Sequence, residues 1–394
     1  MKTYDWIVVG AGITGAALAY ELVKKDCKVL LLEQYATPHN ATRYSYGGLA
    51  FWSGTTPLTR QLCDEGIARH RILSEELDAD TEFRELDLLL TLSAAEGSTI
   101  WADTDPASVA ASYTRFAIPP KLLSPKEACE LEPLLNQEAI AAALTVKHGH
   151  IHPGKTTQAY INAFLRAGGE MAITQVVKIL PKAVTTTKET YNTANTVVCA
   201  GGLSRQLLKS SGISTKLYFT HAEMIETPPV DIQLRTIVMP ANLKRFQLEA
   251  DSTQNDELWN QSGLELVSPI LDAGAVQFRD GSIRLGQISR AITDPHTYVD
   301  SKQSEAELRA SIGKTLPKLN KLPGTWHHCL VSFSNDALPL IGLVPERESV
   351  HVFSGFSNPL VIVPPLAQRF ANWVFGMKDE IITKFSPVRF QNLS

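Results

Sequence analysis

The sequence predicts an α/β domain with a parallel sheet and a second domain that is mostly antiparallel β-sheet (α+β). Three observations carry this: a strand, glycine turn, helix and strand in succession over residues 6–33; a second helix-then-strand block over 153–202; and short alternating strands over 215–322.

Within the opening unit, apolar residues 6–9 (W-I-V-V) run into G-A-G-I-T-G. A helical pattern follows, and a second apolar run at 29–32 ends on Glu33. Gly10 permits the tight turn, Gly12 lets a pyrophosphate approach the backbone, and Gly15 lets the helix pack closely on the strand. The unpaired amides at the helix start, with the helix dipole behind them, suit a diphosphate. Glu33, about 20 residues beyond the glycines, stands where a carboxylate can accept from both hydroxyls of a ribose. With strand, helix and acid in register, a dinucleotide site is expected rather than a structural glycine turn.

Composition narrows the classes. Of 394 residues, 44% are hydrophobic and 20% charged, the balance of a globular protein with ample material for a core. A net charge of -4 with no dense basic run gives no general attraction to nucleic acid or anionic membrane. The acids Asp5 and Glu21 interrupt any apolar stretch long enough to span a bilayer. The first strand starts almost at Met1, which leaves no room for a signal peptide, so a cytoplasmic protein is expected. Five cysteines without C-x-x-C spacing argue against a zinc knuckle and a disulfide framework.

After Glu33, residues 35–48 form a polar segment in which Thr42, Arg43 and Ser45 supply donors, and Gly47 and Gly48 allow a ligand close to the backbone. Residues 59–77 read as an amphipathic helix, 83–92 as a strand and 99–117 as a helix. Around the Pro-Gly turn at 153–154, Thr156 and Thr157 are expected to cap a helix that Gly168 and Gly169 stop. A strand over 171–177 follows, and T-V-V-C-A-G-G at 196–202 resembles a buried parallel strand. Residues 283–288 read as one strand of the antiparallel sheet, 299–316 as an exposed helix and 350–353 as a strand. G-F-S-N-P then leads to a helix whose N-terminus can face a ligand. His148, His150 and His152 alternate, but without clear partners elsewhere no metal site is expected.

Together these blocks resemble the D-amino-acid-oxidase superfamily of flavoproteins, in particular its glycine oxidase and monomeric sarcosine oxidase branch. The pieces are G-A-G-I-T-G with Glu33, A-T-R-Y-S-Y-G-G-L, H-I-H-P-G before a helix, V-V-C-A-G-G, D-A-L-P-L-I-G and G-F-S-N-P, in that order along nearly the whole chain. The resemblance implies FAD and a Rossmann-like FAD-binding domain made of 1–80, 145–212 and 325–394, with 81–144 and 213–324 forming the substrate domain.

Residue by residue, the resemblance places Ile13 and Thr14 at the pyrophosphate, beside Gly10, Gly12 and Gly15, and Glu33 and Gln34 at the adenosine ribose. Thr42, Arg43, Gly47, Gly48 and Leu49 follow the phosphates and the flavin ring. Val177 would meet adenine through its backbone, and Ala200 and Gly201 would lie beside the dinucleotide. Gly355, Phe356, Ser357, Asn358, Pro359, Leu360 and Val361 would lie near the pyrimidine end of the flavin, where a helix dipole stabilises negative charge. Arg43 is either a cation on the flavin face that tunes its potential or a solvent-facing arginine. The C-x6-D spacing from Cys329 to Asp336 matches sarcosine oxidases whose cysteine forms a thioether to the flavin, although His327 and His328 are unlike that family. Cys329 is thus either a covalent attachment point or an unreactive buried thiol.

Two departures bear on the substrate. The arginine with which glycine and D-amino-acid oxidases grip a carboxylate falls on Val331, and the sarcosine-oxidase lysine falls on Ile362. Arg290, Arg279 or Arg245 is left to take that role. Arg290 is preferred because G-Q-I-S-R continues a strand that lines the pocket in relatives, which also brings in Gln287. His328 and His221 are candidates for substrate binding or proton handling, and Arg43 and His328 are the candidate catalytic groups.

The implied reaction is oxidation of the C–N bond of a small amine, imino acid or amino acid by hydride transfer to the flavin, with oxygen or another acceptor taking the electrons. Three alternatives stand beside it: a 2-hydroxy acid or polyol dehydrogenase of the same fold, a non-catalytic flavin-binding protein, and an NAD-dependent dehydrogenase.

Overall fold

The computed structural model describes residues 2–94, 105–242, 244–345 and 347–393. Among the described residues the first sheet has eight strands. Six follow the order Leu340–Leu343, Val350–Ser354, Thr190–Val198, Thr3–Val9, Val29–Glu33 and Glu170–Ile173. Thr3–Val9 lies at the centre, parallel to Thr190–Val198 on one side and Val29–Glu33 on the other. Its four C-terminal residues are all buried, as a central parallel strand covered on both faces requires. Helices Ile13–Val23, Pro57–Glu76, Pro153–Arg166 and Pro359–Val374 share one apolar core against this sheet. Ala16, Ala17, Leu18 and Leu22 of the first helix are wholly buried in it.

Two local expectations are corrected. The helix after the Pro-Gly turn is capped by His152, whose Nδ1 accepts from Lys155 N at 3.2 Å; Thr156 and Thr157 lie inside the helix and donate back to the carbonyls of His152 and Pro153. The strand read over 171–177 is two strands. Glu170–Ile173 pairs parallel with Val29–Glu33, whereas Val176–Leu180 forms a hairpin with Ala183–Thr186. The break falls where Thr174 N donates to Glu33 O and Gln175 O accepts from Thr187 N, so successive residues serve different neighbours. The helix read over 99–117 lies partly outside the described residues. Within them it runs Pro106–Ser112 and then tightens into a 3₁₀ turn at Tyr113–Arg115.

Among the described residues the second sheet has nine strands. Eight follow the order Thr325–Ser334, Leu217–Glu226, Ile283–Arg290, Ile270–Gln277, Ile237–Pro240, Arg84–Ser93, Ile140–His150 and Gly48–Leu49, and Lys121–Leu123 pairs with Ile140–His150. It is antiparallel except where Ile237–Pro240 runs parallel to Arg84–Ser93. Strands Ile140–His150 and Thr325–Ser334 belong to it throughout, so positions 145 and 325 fall within or at the edge of its strands. Helix Ser301–Thr315 covers one face, packing Leu308 and Ile312 against Ala275, Leu285 and Ile288. The opposite face turns towards the loop after Glu33. The short helix Ala41–Tyr44 and strand Gly48–Leu49 thereby join the two sheets.

Candidate functional site

The helix Ile13–Val23 starts from Gly12 without a side-chain cap. Its first amide, Ile13 N, donates to Thr42 Oγ1 at 3.1 Å, which ties the helix start to the loop. The glycines are required by close backbone packing. A Cβ on Gly15 would lie 1.8 Å from Gly10 O, and one on Gly10, whose φ is +101°, would lie 2.7 Å from Cys199 O. The carboxylate of Glu33 is set by backbone donors: Ala11 N at 2.8 Å on one oxygen, Gln34 N at 2.9 Å and Tyr35 N at 3.2 Å on the other. Those three bonds leave about one acceptor position for a ribose hydroxyl.

A cavity of about 560 Å³ opens over this helix start. It brings together eleven of the residues singled out from the sequence: Gly10, Gly12, Thr14, Glu33, Gln34, Thr42, Val177, Ala200, Gly201, His328 and Cys329. Gly201 presents open space where a side chain would stand, so the cradle is free of protein at that point. Val177 O accepts from Ser210 Oγ at 3.2 Å, which fixes the backbone expected to meet adenine. Sequence reading missed His39, Gln175, Gln206 and His296 in the same wall. They arrive from separate loops and, for Gln206, from helix Ser204–Ser210, and carry no local motif.

Other predicted residues lie elsewhere. Gly15 and Ile13 are buried behind the helix start. Gly47 and Gly48 make room for protein, since a Cβ there would meet Ile151 O at 2.2 Å and His148 Nε2 at 2.6 Å. Leu49 pairs with Gly149 and is fully buried. Gly355, Phe356, Leu360 and Val361 are buried at the start of helix Pro359–Val374, outside the cavity's wall. Ser357 Oγ donates to Ala337 O at 2.9 Å, and Asn358 Nδ2 to Ala50 O at 3.3 Å, anchoring that helix start between two loops.

The cavity touches the second sheet at His328, Cys329 and Leu330 of its outermost strand Thr325–Ser334, and the Cys329 side chain belongs to the sheet's inner face. Cys329 stands opposite Ala222, which stands opposite Ser289, so these three share that face. One register further lie His327 and Met224, then Thr325, Glu226 and Arg284. Arg43 binds Glu226 through two bonds, of 2.8 and 2.7 Å. Arg284, almost wholly buried, donates to the same carboxylate at 3.1 and 3.0 Å and to Ser45 O. Burial pushes the Glu226 carboxyl up, but hydrogen bonds from Arg43 and the charge of Arg284 outweigh it and bring the group down to about 2. Glu226 therefore latches the ligand loop to the second sheet. No local pattern marks it, because its partners are distant in sequence.

Gln287 remains near this face through its bond to Ser289 Oγ at 2.8 Å. Arg290 does not. Its Nε donates to the buried Glu223 at 2.8 Å and Nη1 to Glu265 at 3.3 Å, beside a separate cavity of about 340 Å³. His328 also points away from the face that holds Cys329, since adjacent strand residues alternate. Its ring stacks on His221 at 4.6 Å and on Trp326 at 5.2 Å. Burial and the neighbouring rings of His221 and His39 bring His328 down to about 4, which leaves it neutral. His148 and His150 are core rings. His148 accepts from Trp52 Nε1 at 3.0 Å, and His150 packs on Phe278.

A model of the family described as FAD dependent oxidoreductase (DAO) matches residues 5–373. The chain belongs to this family. Its cofactor is FAD, and the capless helix start, the Glu33 carboxylate and the glycine cradle fit that dinucleotide. Among known relatives, the DAO-family chain is 30% identical to monomeric sarcosine oxidase of Streptomyces avermitilis over 222 residues, 54% of this chain and 55% of that protein. The match thus spans about half the length of that relative. It is 24% identical to glycine oxidase of Geobacillus kaustophilus over 386 residues, covering 92% of this chain and 90% of the other. The crystal structure of glycine oxidase from the same organism superposes with a TM-score of 0.79 at 20% identity, over 99% of both chains. That likeness shows a shared two-sheet fold. Among the described residues, no helix is long and apolar enough to cross a membrane.

Proposed function

We propose that this FAD-dependent oxidoreductase oxidises the C–N bond of a small amine, imino acid or amino acid. The observation that carries this reading is that the dinucleotide cavity reaches the second sheet, at His328, Cys329 and Leu330 of its outermost strand, where a substrate can meet the flavin end of the cofactor. Sarcosine and glycine oxidase among the relatives favour an amine over a hydroxy acid or polyol. When bound, FAD supplies a two-electron acceptor for hydride from the carbon beside the nitrogen, and oxygen or another acceptor removes the electrons.

The protein's own part is to hold and orient. The amides at the start of Ile13–Val23 receive the diphosphate, Glu33 receives the ribose, and Arg43 and Arg284, fixed by Glu226, position the loop against the second sheet. A buried site also lowers the pKa of the substrate amine, so that its lone pair is free. No group within this arrangement needs to act as a strong base. The reading is tested by an absorption spectrum of the purified protein and anaerobic addition of an amine, amino-acid and hydroxy-acid panel. Yellow colour bleached by an amine is expected. A protein that takes up no FAD, or whose flavin only a hydroxy acid reduces, would overturn it.

The flavin is expected to be released by acid. Burial pushes the Cys329 thiol up to about 12, with Arg284 only partly opposing, so the thiol stays protonated and a poor nucleophile near neutral pH. Acid precipitation should leave the colour in the supernatant. Colour retained in the pellet, and lost in Cys329→Ala, would establish a thioether instead.

A further inference from the structure

Among the described residues, the inner face of the second sheet carries buried polar atoms without a hydrogen-bond partner, and three of them are oxygens that can accept. Asp272, in strand Ile270–Gln277, is 9% exposed, and its Oδ1 has no hydrogen-bond partner. It alternates with Ala273 and Ala275, which pack towards helix Ser301–Thr315, so Asp272 belongs to the opposite, inner face. The Tyr46 hydroxyl is likewise buried and unpartnered. It stands over Gly286, where a Cβ would come within 2.7 Å of it, and the charge of Asp272 acts on it. Thr220 Oγ1, on a fully buried residue opposite Val331, is the third. Burial raises the Asp272 carboxyl, while a hydrogen bond with Asn242 and the charges of Arg245 and Lys244 oppose that rise.

The arginines considered as carboxylate anchors are engaged elsewhere. Arg43 and Arg284 hold Glu226, and Arg290 holds Glu223 on the far face. Arg279 donates to Phe83 O at 3.1 Å, and Arg245 Nε lies 3.1 Å from Glu249. A substrate carboxylate beside Val331 would gain no cation from these arginines. Asp272 Oδ1 itself has no donor among the described residues, and a buried carboxylate is best satisfied by a cation that also donates hydrogen bonds.

We propose that Asp272, assisted by Tyr46, binds an ammonium group of the substrate remote from the reacting nitrogen, so that the preferred substrates are diamines or polyamines without an α-carboxylate. This rests on the flavin-dependent amine oxidation proposed above. The group bound to Asp272 is not the one oxidised, because a carboxylate beside the reacting nitrogen would favour its protonated form and withhold the lone pair.

The test titrates FAD-loaded protein anaerobically with diaminobutane, butylamine and glycine, reading the visible flavin spectrum for perturbation or bleaching. Diaminobutane should act at a concentration at least about tenfold below butylamine, the advantage of one buried charge-assisted contact. Asp272→Asn should remove that preference while leaving butylamine unchanged, and Tyr46→Phe should reduce it by a smaller factor, both with normal FAD content. The wild-type comparison stands whether or not the variants fold. FAD-loaded wild-type protein that shows no preference for the diamine, a preference that survives Asp272→Asn, or a stronger response to glycine would each overturn the inference alone. Wild-type protein that binds no FAD would overturn the flavoenzyme reading and the inference with it.

Discussion

Gly15→Ala is expected to yield protein that carries no FAD and has largely lost its native fold. The added methyl would lie 1.8 Å from Gly10 O, 3.0 Å from Gly10 C and 3.2 Å from Cys199 Cβ. The nearest two atoms are backbone in the turn between the central strand and its helix, so no side chain can rotate aside. Relief requires the helix to lift off the sheet, and Ala16, Ala17 and Leu18 would lose burial with it. Overpacking at a site with no freedom costs upwards of about 3 kcal/mol. Gly12→Ala is the contrasting case. Its methyl would meet only the Thr42 hydroxyl, at 3.2 Å, yet Gly12 lines the cavity that we propose receives the diphosphate. That variant should fold and lose FAD affinity. The ratio of flavin to protein absorbance, with circular dichroism for the fold, separates the two. A yellow, normally folded Gly15→Ala would refute the packing argument.

Glu226→Ala is expected to destabilise the protein by about 3–5 kcal/mol, the range for removing one partner from a buried ion pair. Arg284 is 1% exposed, and Glu226 is the only carboxylate to which it donates among the described residues. Its removal strands one buried guanidinium and releases Arg43. The same carboxylate sets an acid dependence. Its folded-state pKa, about 2, lies below the ordinary value of 4.5, so its contribution is fully present above pH 4.5 and is lost as pH falls towards 2. The size of that contribution is about 3 kcal/mol. Urea midpoints measured across this window should fall more steeply in the wild type than in Glu226→Gln, which cannot titrate. Parallel curves would show that Glu226 does not carry the effect. Because Arg43 lies in the ligand loop, FAD should also dissociate more readily from Glu226→Ala at neutral pH.

The cofactor half of the site was legible because its signals are local. Gly10, Gly12 and Gly15 answer a steric demand made within one turn, and apolar runs such as 29–32 report strands buried on both sides. Where a feature depended on competition among neighbours, sequence reading slipped. Thr156 and Thr157 look like caps, but their hydroxyls return to carbonyls one turn back, and the imidazole of His152 takes the capping position. Arg290 looked available at the end of a strand. A bulge in the pairing of Leu217–Glu226 with Ile283–Arg290 and the acids Glu223 and Glu265 commit it to the far face.

By itself, then, the sequence determined the βαβ unit, the FAD cradle and the absence of arginine and lysine at 331 and 362, since each is written in adjacent residues or in a single position. Only the tertiary structure decided what fills the substrate side. The Arg43–Glu226–Arg284 latch joins groups 183 and 58 residues apart. Tyr46 stands over Gly286 only because the loop after Glu33 lies across a strand of the second sheet. Such pairings follow from sheet order and register, and no window of the chain contains both partners.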